Sequence, residues 1–106
     1  MKARAVIPRQ KAEQDIDDAI DFYANEDGAE VALGFLDELE AAFLHLAVHP
    51  DSGSLRYSAE LDIPNLRYWA MRRYPHLIFY VSNTDKVDVW RVLHGKRDIP
   101  ESMHES

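Results

Sequence analysis

An α+β fold is predicted: an N-terminal strand, an αα-hairpin, and then a three-stranded antiparallel meander, all served by one small sheet. Two stretches in the first half place apolar residues at helical spacing. Three β-type runs, joined by short connections, fill the second half. The chain has 106 residues, which is one domain over 1–106 with a tail at 98–106.

Residues 2–7 alternate loosely, with Ala3, Ala5 and Ile7 on one side, and read as a short strand ended by Pro8. Residues 10–26 are helical, because Ala12, Ile16, Ala19, Ile20 and Tyr23 form one stripe. Glu13, Asp17, Asp18 and Asp21 face elsewhere and read as a solvated face. Asn25 to Gly28 is the break between this helix and a second over 29–48. Ala32, Leu33, Leu36, Leu39, Phe43, Leu46 and Ala47 form its stripe, and Phe35, Leu44 and Val48 widen it. Pro50 and Gly53 end it, and the short link between the helices makes them an antiparallel hairpin.

Residues 54–65 read as loop. The β-type runs are 66–74, 76–82 and 87–94, with Asn83, Thr84 and Asp85 as a turn. The first strand is expected to join this sheet, since its edge is otherwise open. The last two runs are apolar on both faces, where a sheet covered on one side needs only one apolar face. The second face must be covered by loop 54–65, by the tail or by another protein, and it is the reason, at this level, to expect a partner.

Charge is unevenly distributed. The net charge of −7 divides into +4 over residues 1–11, −12 over 12–55, +4 over 56–97 and −3 over 98–106. Phosphate binding relies on Lys and Arg, so direct nucleic-acid binding is not expected. The lack of cysteine excludes disulfides, thiol nucleophiles and thiolate–zinc sites. No apolar run is long enough for a signal peptide or a membrane span, so no membrane association and a cytoplasmic location are expected. His45 and His49 have i, i+4 spacing but no third ligand, and both suit a helix C-terminus. Ser52 and Ser54 beside His49 and Asp51 lack a nucleophile-elbow context and read as turn chemistry. No metal or cofactor is expected.

Residues 73–81 (Arg-Tyr-Pro-His-Leu-Ile-Phe-Tyr-Val) and 87–98 (Val-Asp-Val-Trp-Arg-Val-Leu-His-Gly-Lys-Arg-Asp) resemble the central hairpin and the last strand with its exit in the RelE/ParE toxins of type II toxin–antitoxin pairs. Asp15-Ile16 through Tyr23 resembles the family's first helix, and His49-Pro50 with Gly53 the end of its second. The resemblance spans residues 2–98 and points to the ParE-like branch. It implies a toxin that inhibits DNA gyrase and is neutralised by a ParD-like antitoxin, in a hetero-oligomer where the antitoxin orders on binding. Arg91, His94, Lys96 and Arg97 are the implied target-binding residues. Tyr68, Trp69, Arg72, Arg73 and Trp90 are the implied antitoxin-binding residues.

The alternative on this fold is a RelE-like, ribosome-dependent mRNA endonuclease. It needs a base, an acid and cations for the phosphate charge, for which His94, Arg73 and Arg91 are the candidates. Two features disfavour it. After Asp98 the tail holds no Tyr, Lys or Arg, and an acidic chain is poorly suited to an RNA cavity.

Overall fold

The computed structural model describes residues 3–104. Lys2, where the first strand was expected to begin, and the last two tail residues lie outside the described residues. The elements in order are β1 (Ala5–Pro8), α1 (Gln10–Glu26), α2 (Ala29–Val48), α3 (Arg56–Glu60), β2 (Arg67–Ala70), β3 (His76–Ser82), β4 (Lys86–His94) and α4 (Ile99–His104). Pro8 is the last residue of β1 rather than its stop. That position suits a residue with no N–H to give to a ladder.

The sheet order is β1-β4-β3-β2. The meander β2-β3-β4 is antiparallel as expected, while β1 joins it parallel to β4, so the sheet is mixed. In the β3–β4 ladder Phe79 lies opposite Arg91 and Tyr80 opposite Val89, which leaves Trp90 as an extra residue. Such a bulge shifts the alternation of the strand by one place. Val87 and Val89 pack under the helices before it, and Val92 does so after it.

Both apolar faces are covered by the chain itself. On one face α1 and α2 bury Phe35, Leu39, Leu46, Ile78 and Tyr80. On the other, Leu66, Phe79 and Leu93 pack with Ile99 and Met103 of α4 and with Tyr57, Leu61 and Ile63. Loop 54–65 and the tail are therefore the cover, and each contains a short helix that the sequence pattern did not show. This removes the second sheet face as a reason to expect a partner. Loop 54–65 turns at Asp62 and Asn65, both at positive φ, which short polar side chains tolerate.

Tyr80 ties the end of α2 to the sheet. Its hydroxyl donates to the Pro50 carbonyl at 2.8 Å and accepts the Gly53 N–H at 2.9 Å. A Cβ on Gly53 would press on that hydroxyl and lie 2.9 Å from the Tyr68 carbonyl, so only glycine fits there.

The stripe of α2 is rotated from the one the spacing predicts. Phe35 is wholly buried, whereas Leu33 is 60% exposed. Phe35→Ala is accordingly expected to cost about 3–5 kcal/mol and Leu33→Ala less than about 0.5 kcal/mol, as read by urea unfolding. Equal losses would mean that the rotational phase of α2 is different.

Candidate functional site

β1 ends opposite Val89, so among the described residues the rest of β4 has no strand on that side. α1 begins at this point and lies along the open edge. Asp15 there accepts the Val92 backbone N–H at 3.0 Å, a donor that the ladder leaves free. The same carboxylate takes two hydrogen bonds from the Arg91 guanidinium, Nε at 2.7 Å and Nη2 at 2.8 Å. Arg91 Nη1 donates to the Ser102 carbonyl of α4 at 2.6 Å. The two side chains are 6% and 8% exposed. One buried fork thus joins α1, β4 and α4. Removing one partner of such a pair costs about 3–5 kcal/mol, because it strands a charge.

Past Arg91 the chain leaves the sheet through a tight turn. His94 Nδ1 accepts the Lys96 N–H at 3.1 Å, and the His94 carbonyl accepts the Arg97 N–H at 3.0 Å. The Gly95 N–H donates to the Pro75 carbonyl at 2.6 Å. Asp98 then caps α4, its Oδ1 accepting the Glu101 N–H at 3.1 Å. Lys96 and Arg97 stand exposed on this ordered turn.

His76 pairs with His94 across the strands, with ring centroids 5.4 Å apart. It is 7% exposed, and its Nδ1 has no hydrogen-bond partner among the described residues. Burial, followed by the neighbouring His94, pushes its pKa down to about 4, with Asp15 opposing. Between this pair and α1 lies a cleft of about 280 Å³, walled by Ala19, Phe22, Tyr23 and Val92 and edged by Asp18 and Arg97.

The family profile described as the ParE toxin of type II toxin-antitoxin systems, parDE, matches residues 6–99. The chain belongs to the ParE toxin family. A solved chain of the chromosomal ParDE TA system from P. aeruginosa has the same fold, with a TM-score of 0.72 at 18% identity over 87% of this chain and 96% of that one. No curated protein matches the chain.

In this ParE-family chain the expected target-binding residues separate. His94, Lys96 and Arg97 share the exit turn. Arg91 lies apart from that surface, held by its ion pair with Asp15 and its bond to Ser102. The expected antitoxin residues are dispersed as well. Trp69 stacks on His45 at 4.5 Å and shares a cleft of about 250 Å³ with Arg72 and Glu38. Tyr68 points to the opposite face, against Tyr57 and Phe79. Trp90 lies at the β1 edge, its indole N–H bonded to Asp88 at 3.1 Å and the Arg9 guanidinium 3.9 Å over its ring. The Glu38 carboxylate accepts the Arg72 and Arg73 N–H groups at 2.7 and 3.1 Å and lies 3.5 Å from the Arg73 Nε. These bonds end β2 at Ala70, short of the expected residue 74.

Sequence reasoning missed Asp15, Glu38 and His76 as structural anchors. For Asp15 a signal existed: with Ala12 and Ala19 it makes an i, i+3, i+7 set on the buried side of α1.

His76 makes stability depend on pH. Its folded pKa of about 4 lies below the ordinary histidine value of about 6.5. As pH falls from about 6.5 towards 4 the unfolded chain therefore takes the proton first, and folding loses up to about 3 kcal/mol. Urea unfolding across that window is expected to show a steeper loss in the wild type than in His76→Phe. Parallel slopes would contradict it.

Proposed function

We propose that this ParE-family chain acts in the cytoplasm by binding and inhibiting DNA gyrase, and that a ParD-like antitoxin neutralises it in a hetero-oligomeric complex. The observation that carries this reading is the enclosure of Arg91. A metal-free nuclease would need His94, Arg73 and Arg91 to converge on one phosphate. Here Arg91 is held by Asp15 of α1, Arg73 lies against Glu38 of α2, and His94 Nδ1 is taken by the exit turn. The net charge of −7 points the same way, away from an RNA cavity.

The target would be met by the ordered basic turn at His94, Lys96 and Arg97. Pre-ordering reduces the entropy that association must overcome. An antitoxin segment is assigned to the apolar groove between β1 and α2. Val6, Phe43 and Ala47 line this groove, Leu44 beside them is 72% exposed, and its volume is about 480 Å³. It adjoins the open edge of β1, a natural template for added chain. The cleft at Trp69 and Arg72 offers that partner a second hold.

Purified toxin is expected to block gyrase supercoiling or raise gyrase-dependent cleavage. His94→Gln should retain that activity within a few-fold, because glutamine keeps one hydrogen bond. Neutralising Lys96 and Arg97 together should weaken it by about tenfold or more, through lost steering and contact. Ribosome-dependent messenger cleavage that disappears in His94→Gln, with gyrase unaffected, would contradict the assignment, since losing an acid–base catalyst costs roughly 10²–10⁴-fold.

A further inference from the structure

The cleft between α1 and the β3–β4 exit has no role in the reading above. It is lined by His76, whose Nδ1 is the only buried side-chain polar atom without a partner among the described residues. A buried polar group left unpaired is destabilising, so a ligand that pairs it gains affinity. His76 is 93% buried by the 7% that remains exposed, yet its ring forms part of the cleft lining. Phe22, 57% exposed, and Tyr23 stand beside it with their rings edge to face at 5.5 Å. The charges around the opening nearly cancel. Asp15 is neutralised by Arg91, Asp18 already accepts the Gln14 amide at 2.8 Å, and Arg97 supplies one positive charge.

We infer that this cleft is an anchor pocket for one uncharged aromatic side chain bearing a hydrogen-bonding group, presented by the protein partner that meets the exit turn. A phenol or indole ring fits the aromatic and aliphatic walls, and its polar atom pairs with His76. A balanced rim favours a neutral guest over a phosphate or a guanidinium. A cleft of about 280 Å³ has room for one such ring, since a cavity of about 150 Å³ already takes benzene. Aromatic anchors seated in small desolvated pockets dominate many protein interfaces. The position, between α1 and the turn that carries His94 and Arg97, makes this pocket part of the proposed target surface. The identity of the partner therefore rests on that reading, while the chemistry of the pocket does not.

The test titrates the full chain with p-cresol, a free tyrosine side chain, and follows the imidazole nitrogens of His76 by NMR. Toluene is the shape control without the hydroxyl, and adenosine monophosphate is the charged alternative. A guest of eight heavy atoms is expected to bind at roughly millimolar concentration. The expected result is saturable binding of p-cresol with a shifted His76 nitrogen, at least about fivefold weaker binding of toluene, and weaker binding of both to Phe22→Ala. Phe22 is exposed, so that variant should remain folded, as circular dichroism would verify. No binding, equal binding of toluene, or preferential binding of adenosine monophosphate would each overturn the pocket. Gyrase inhibition is measured separately, so p-cresol binding by a chain that leaves gyrase untouched would sink the gyrase reading and leave the pocket chemistry standing.

Discussion

The ion pair between Asp15 and Arg91 is the constraint on which the rest of the molecule depends. β1 is only four residues long, and among the described residues no strand pairs with the second half of β4 on that side. α1 cannot supply a ladder of its own, because helix backbone groups are already paired within the helix. A carboxylate on α1 solves both problems: it satisfies the stranded Val92 N–H and neutralises a guanidinium that cannot reach water. Arg91 then carries the link to α4 through the Ser102 carbonyl. The exit turn follows three residues later, so its position is inherited from this pair.

Two cores on opposite sides of one sheet follow from the same arrangement. With α4 held by Arg91, Ile99 and Met103 close the face that α1 and α2 do not reach. The bulge at Trp90 matters for both. Without it, continued alternation from Val87 and Val89 would turn Arg91 towards the helices and Val92 away from them. The extra residue puts Val92 in the helical core, Leu93 in the other, and His94 beside the α1 cleft.

The elements that the sequence revealed are those with a local signature. The stripe of α1, the break ending at Gly28 and the three β-type runs all depend on neighbours within a few residues. What stayed hidden depends on distant partners. Asp15 and Arg91 are separated by 76 positions, and no periodicity reports such a pair. The phase of α2 was misread because apolar residues surround that helix, so Leu33 and Phe35 look equivalent until the sheet selects one. α4 is six residues long, too short for a period, although Asp98 followed three places on by Glu101 is a start signal that could have been noticed. Among the candidate residues, His94, Lys96 and Arg97 were implied by the resemblance of the last strand and its exit, and they lie at the end of β4 and on the turn that follows it. Arg91 looks available in the sequence because its counter-charge, Asp15, lies on a distant helix.

The most direct measurement of this account is amide hydrogen exchange at Val92, compared with Ile78 in the middle of the sheet. A backbone donor on an unpaired strand edge ordinarily exchanges through small local openings. If Asp15 closes that edge, Val92 in the wild type exchanges as slowly as Ile78, only through global unfolding, and in Asp15→Ala its protection falls by about tenfold or more relative to Ile78 in the same sample. A wild-type Val92 amide that exchanges as fast as an open edge would contradict the account.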